Sequence, residues 1–447
     1  MATQGMLWDR RRLIKLIVPL IIEQILSVTI GMADTVMVSG AGEAAVSGIS
    51  LVDSINILLI NIFSALATGG AVIGAQYLGK RDRDSACEAA KQLALSVAAL
   101  SLVIAAFSLI AKDWLLAAIF GTVEPAVMAN AQVYFFLSAL SYPFIAIYNA
   151  AAALFRAMGN SKVPMLISAG MNAINIVGNA ILIFGFHLDV AGAGIASLVS
   201  RIVACVVVML LIVRPVHEIY IRSLFPLKID WKMVKNIMRI GIPNGLENGM
   251  FQIGKILVQG LVSSFGTAAI AANAVAGNVA ALEIIPGSAI GMAMVTVVGQ
   301  CVGARDYDGA KKYVRRLMAI TYIFMAALNI PLLFVIPQVV GFYSLSGEAM
   351  TMATEILLLH GSCAMVIWPA AFALPNALRA ANDVKFTMIA AIASMWICRI
   401  GMSYFLALNM GLGVMGVWIA MILDWCVRAV VLVGRYLSGK WKTKQYI

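Results

Sequence analysis

Charge is scarce in this chain. Only 12% of its 447 residues are Asp, Glu, Lys or Arg, against 62% apolar, and mean hydropathy is +0.95, which excludes an ordinary soluble or disordered protein. Histidine is scarcer still: His187, His217 and His360 are all there is. No Ser/His/Asp arrangement or metal-ligand spacing accompanies them, so an embedded enzyme such as an acyltransferase has no machinery to use. The six cysteines, from Cys87 to Cys426, are dispersed without a CxxC pair, encode neither disulfide framework nor thiolate site, and read as small packing residues. No GxxxxGK[ST] segment occurs, which removes ATP drive in cis.

The apolar residues are gathered into stretches of the size that crosses hydrocarbon, about 20 residues. They fall near 14–39, 51–77, 92–111, 131–155, 163–186, 192–213, 237–264, 269–301, 317–343, 355–378, 386–408 and 414–437. Twelve in series predict an all-α integral membrane protein, and the short alternating segments of a membrane β-barrel do not dominate. The opening RRRLIKLIVPLIIEQ mimics a secretory signal, but Glu23 interrupts it and no small-residue cleavage site follows, so it reads as a retained first helix.

The formal charge of +11 invites a nucleic-acid reading, which the distribution of Lys and Arg removes. Basic residues recur at every second loop: Arg10 to Lys15, Lys80 to Arg83, Arg156 with Lys162, Arg214 to Arg239, Arg305 to Arg316, Arg379 with Lys385, and Arg435 to Lys444. A phosphate-binding face would cluster them instead. By the positive-inside rule those loops and both termini are expected on the cytoplasmic side of a bacterial inner membrane, which requires an even number of spans.

An internal repeat organises the chain. GAQYLGKRDRD at 74–84 aligns with VGQCVGARDYD at 298–308 under a shift of 224, which also pairs Pro19 with Pro243, Glu23 with Glu247 and Gly42 with Gly266. LFRAMGNSK at 154–162 matches ALRAANDVK at 377–385 under a shift of 223, and VAGAGIA at 190–196 echoes VMGVWIA at 414–420. Coincidence at one offset across a whole half argues for duplication. Each copy holds an even six spans, so the two are parallel repeats. The expected division is a first lobe over 1–213, a cytoplasmic linker over 214–239 and a second lobe over 240–447. Two such bundles are the architecture of an alternating-access carrier.

Ionisable groups at membrane depth are costly and are functional candidates. Glu23 and Asp34 are eleven residues apart, which returns to nearly the same helix bearing, with Ser27 close to it. On the fifth span Ser168, Asn172, Asn175 and Asn179 form a polar stripe that must face protein or water. An acid beside neutral amide oxygens, with Ser197 adding a hydroxyl, suits a proton or Na+; taken alone, Asn172 and Ser168 read first as interhelical glue. In the second half Glu247 and Lys255 share the seventh span and Glu283 precedes Pro286 on the eighth. Lys255 is expected to neutralise Glu247 or Glu283, Arg399 to pair with Asp424, and Arg428 to snorkel toward the interface. The repeat sets Val258 opposite Asp34, so coupling need not be symmetric.

Twelve spans, Pro19 to Glu23, MADTVMVSG at 32–40, the QYLGKRD and QCVGARD pair and LFRAMGNSK together resemble the multidrug and toxic compound extrusion (MATE) family of the MOP flippase superfamily, over essentially the whole chain. The resemblance implies a V-shaped pair of six-helix lobes. It also implies a monomeric antiporter exporting organic cations in exchange for H+ or Na+, without other cofactor. The family's first-helix aspartate falls on Asp34, its amino-lobe cation site on Asn175, Asn179 and Ser197, and its seventh-helix glutamate on Glu247. In some members the position of Asn179 is acidic, and members with a carboxyl-lobe ion site add a tenth-helix aspartate that is absent between Leu357 and Ala377, where Glu283 could substitute. The rival implied by the superfamily is a lipid-linked oligosaccharide flippase, which favours a strongly cationic cavity.

Overall fold

The structure, a computed structural model, describes residues 8–39, 42–121, 123–223, 227–343 and 345–444, with side chains throughout except at 29–36, 38, 39 and 43. Among the described residues there is no strand. The helices are α1 (Arg10–Ser39), α2 (Glu43–Gly79), α3 (Arg83–Ile110), the short α4 (Lys112–Phe120), α5 (Pro125–Ala157), α6 (Lys162–Gly185) and α7 (Asp189–Ile212). After a long connection come α8 (Trp231–Ser263), α9 (Thr267–Glu283), α10 (Ile285–Gly303), α11 (Tyr307–Gly341), α12 (Gly347–Ala380), α13 (Val384–Asn409) and α14 (Gly413–Leu437).

Ten of these are long and apolar enough to cross a bilayer among the described residues. The helices α1 and α8, 30 and 33 residues long, complete the twelve crossings; each is less apolar because it opens on basic residues and carries Glu23 or Glu247. The expected eighth crossing is interrupted. Ile284 leaves the helix at ψ −1° between α9 and α10, and Pro286 follows at the start of α10 without an N–H to continue the ladder.

The duplication is written in the backbone. Left-handed conformations occur at Gly42, Arg81, Gly159, His187 and Asp189, and again at Gly266, Arg305, Asn382, Gly411 and Gly413, every pair displaced by 223 or 224. Arg81 (φ 62°) and Arg305 (φ 57°) each stand one residue ahead of an aspartate that caps the next helix. Asp82 accepts from the Ser85 N–H and Asp306 from the Gly309 N–H at 2.8 Å. The Ser85 amide and hydroxyl hold the Asp82 carboxyl below its ordinary range. At the third pair Gly159 becomes Asn382, the side chain that best tolerates this conformation after glycine.

Contacts divide the chain into two compact units, Arg10–Gly245 and Leu246–Ile447 together with Met1–Asp9. In the first, α5 packs on α2, α3 and α7, and α6 on α1 and α7. The connection after α7 is not free: the Arg83 guanidinium donates to the carbonyls of Pro215, His217 and Glu218 at 2.7–3.1 Å, and Gln92 to that of Lys228 at 2.8 Å. The first half of α8 lies against α2 where Gly69 and Gly241 meet. A Cβ at Gly69 would sit 2.7 Å from the Ile237 carbonyl oxygen and 2.9 Å from the Gly241 nitrogen. Backbone cannot yield as a side chain can, so Gly69→Ala is expected to destabilise this unit by about 1–3 kcal/mol, measured by denaturant unfolding in detergent; unchanged stability would show that the crossing is loose. In the second unit α10 packs on α11 and α12, α12 on α9, α11 and α14, and α13 on α14. Trp8 joins it by donating its N–H to the Tyr313 hydroxyl at 2.9 Å.

Candidate functional site

In the first unit a polar cavity of about 380 Å³ opens between α1, α2, α5, α6 and α7. The helices position its walls by simple periodicity. Asn172, Asn175 and Asn179 recur at three and four residues along α6, and Ser197, Ser200 and Arg201 do the same on α7. Asn179 donates to the Asn175 amide oxygen at 3.2 Å, and Asn175 donates to the Ser197 hydroxyl at 3.0 Å. Asn172 also lines the cavity and reaches Ser168 at 3.5 Å. The three expected ligands Asn175, Asn179 and Ser197 are therefore one connected chain, with both amides buried. Ser27 of α1 faces the same space. Asp34, two helical turns beyond it, lies outside the described side chains.

A second network reaches the same cavity through Asp53 and Arg201. Asp53 of α2 accepts from Asn56 at 3.1 Å; Asn56 also donates to Ser138 at 3.2 Å and accepts from the Tyr142 hydroxyl at 2.9 Å. Arg201 donates to Ser141 at 2.6 Å and acts electrostatically on Asp53. Asp53 and Arg201 are charged residues inside otherwise apolar stretches of the sequence. The available signal was that Arg201 follows Ser197 by four residues and so shares its face.

Glu23 and Glu247 are elsewhere, and both are ion-paired. Arg156 meets Glu23 at 2.8 Å and Arg379 meets Glu247 at 2.6 Å. The repeat displaces the acids by 224 and the arginines by 223, so the second lobe reproduces the bond of the first. The expectation that Lys255 neutralises Glu247 or Glu283 is corrected: Arg379 takes Glu247, and His360 of α12 closes on Glu283. Thus the tenth crossing supplies an imidazole where an acid was sought. Arg428 does not snorkel. It is 3% exposed, lies over the Phe372 ring and stands 3.6 Å from Asp424, whose other side faces Arg399 at 4.0 Å. Desolvation is offset by these contacts, where the long path to the interface was the alternative.

The second unit has its own cavity, about 360 Å³, between α8, α9, α12, α13 and α14. It occupies the duplicated place. Ser27, Asp53, Asn175, Ser197 and Arg201 of the first cavity become Phe251, Gly277, Arg399, Met421 and Trp425 of the second at a constant shift of 224. Among the described residues no group of His, Cys, Asp and Glu is arranged to hold a metal ion.

Two six-helix lobes, each enclosing a polar or mixed cavity among its membrane-crossing helices and linked by one connection, are the architecture of a multi-pass membrane transporter. The MatE family model matches residues 19–181 and again 243–405, a displacement of 224 at both ends, and the chain belongs to that family. It is similar to the uncharacterized transporter YisQ of Bacillus subtilis (strain 168), 26% identical over 446 residues covering 95% of this chain and 94% of YisQ. It is also similar to the probable multidrug resistance protein NorM of Thermotoga maritima, 24% identical over 97% of this chain and 94% of that one. Among solved structures it shares its fold with an outward-facing multidrug resistance MATE family transporter of the MOP superfamily, at a TM-score of 0.91 and 22% identity, covering 99% and 100% of the two chains.

Proposed function

We propose that the chain is a cation-coupled multidrug efflux antiporter, a monomer in the bacterial inner membrane with both termini cytoplasmic, exporting organic cations by alternating access in exchange for H+ or Na+. The observation that carries this reading is the buried chain Asn179–Asn175–Ser197 on one wall of the first cavity. Its oxygens are neutral, so a charge must come from a neighbouring acid. The repeat supports Asp34 as that acid: its counterpart Val258 lines the second cavity. Packing of α1 along α6 and the position of Ser27 on the wall support the same placement. An acid there binds a cation when the cavity faces one side and must release it before facing the other. The similarity to NorM supports drugs as the cargo.

Proteoliposomes loaded with ethidium test the reading under an imposed proton gradient and, separately, a sodium gradient. Export driven by one of the two identifies the coupling ion, and indifference to both would remove the antiport.

One observation favours the second reading, a flippase for lipid-linked oligosaccharides: Lys255 and Arg399 share the second cavity. Phosphate-bearing lipids would compete with drug transport in that case, and reconstitution with fluorescent lipid-linked sugar tests it.

A further inference from the structure

We propose that the second lobe's cavity is a binding site for planar aromatic anions, carboxylates or sulfonates, gripped between aromatic rings and the Lys255 and Arg399 cations. The argument begins with what the duplication changed. At equivalent positions of the two cavities Asp53 is replaced by Gly277 and Asn175 by Arg399, while Gly31 and Asp34 are replaced by Lys255 and Val258. Two acids, an amide and the Arg201 guanidinium, whose place Trp425 takes, have given way to two cations. The same space has been kept and made more positive.

Asp424 is the one carboxylate near Arg399 and is shared with Arg428, at 4.0 and 3.6 Å. Glu283 is closed on His360, and Glu247 on Arg379. Among the described residues no carboxylate lies within ion-pair distance of Lys255, whose neighbouring charge is Arg399. Three cations thus share one carboxylate. Two neighbouring cations with a single carboxylate shared between one of them and Arg428 are costly inside a membrane protein, and a ligand anion relieves that cost.

The rest of the wall selects a flat apolar body. Trp368 stacks on Phe372 with centroids 5.2 Å apart, Phe372 meets Trp425 edge-on at 6.0 Å, and Phe251 carries the Arg399 guanidinium over its face at 5.0 Å. A ring entering this cavity meets aromatic faces while its acid group reaches the cations. About 360 Å³ admits a ligand of one or two fused rings.

The test uses the full-length protein in phosphatidylcholine nanodiscs and isothermal titration with 2-naphthoate, the neutral 2-naphthamide and the cation 2-naphthylmethylammonium. No ion gradient is needed, so the result is readable whether or not coupled export proves correct. Naphthoate is expected to bind roughly tenfold or more tighter than naphthamide, and the ammonium, which is of the class proposed as cargo, not to displace bound naphthoate. Lys255→Gln, at an exposed position, is expected to erase the preference for naphthoate while leaving naphthamide unchanged, and Lys255→Arg to restore it. Equal binding of naphthoate and naphthamide, or a preference that survives Lys255→Gln, overturns the site. So does a site filled by phosphatidylglycerol added to the nanodiscs with no preference for naphthoate, which would assign it to lipid phosphates.

Discussion

Asp34→Asn is expected to reduce gradient-driven ethidium export to the leak of empty vesicles while the protein still folds and inserts. The substitution keeps shape and hydrogen-bonding reach and removes the one thing an amide cannot supply, a group that changes charge. An ion drives the transition between facing states only through its different affinity for them, and reversing a 1:99 population takes about 5.5 kcal/mol of that difference. The Asn175, Asn179 and Ser197 oxygens are neutral and remain in the variant, so they can solvate an ion but cannot hold it against release. The control is Asn175→Ala, which removes one neutral oxygen and is expected to weaken coupling partially. Unaltered ethidium resistance in cells carrying Asp34→Asn would sink the coupling role.

How much of this was legible without coordinates follows from the range of each signal. Twelve crossings, the shift of 224 and the turn residues all rest on local sequence, and the pairing of Arg81 with Arg305 and Gly159 with Asn382 in left-handed backbone shows how far that carries. Helical spacing also put Asn175, Asn179 and Ser197 on coherent faces. What periodicity cannot give is the neighbour. It aims Lys255 at a face of α8 but not at Arg399, 144 residues on, and it leaves Glu283 unpaired until α12 brings His360 to it. The Glu247–Arg379 bond was nonetheless within reach, because the matched segments LFRAMGNSK and ALRAANDVK already aligned Arg156 with Arg379. A duplicated acid and a duplicated base invite pairing. The meeting of Lys255 and Arg399 in the second cavity was not legible, since it depends on which positions share a wall.

Arg379→Leu is expected to cost about 3–5 kcal/mol, because it leaves the Glu247 carboxylate buried without its cation. The double variant Glu247→Leu with Arg379→Leu is expected to recover most of that loss, since two apolar side chains replace an ion pair that bore its own desolvation cost. Unfolding in denaturant, read by tryptophan fluorescence, follows both. The pair joins α8 to α12 within one lobe as Glu23–Arg156 joins α1 to α5 in the other, so Arg156→Leu should behave alike. Transport separates a clamp from a coupling element. If these pairs are clamps, the double variants export ethidium at a rate per folded molecule close to that of the parent, with an unchanged pH profile. A double variant that folds well yet loses its response to pH would move the coupling acid from Asp34 to the paired glutamates, and the duplicated bond would then be the part of the fold that senses the ion.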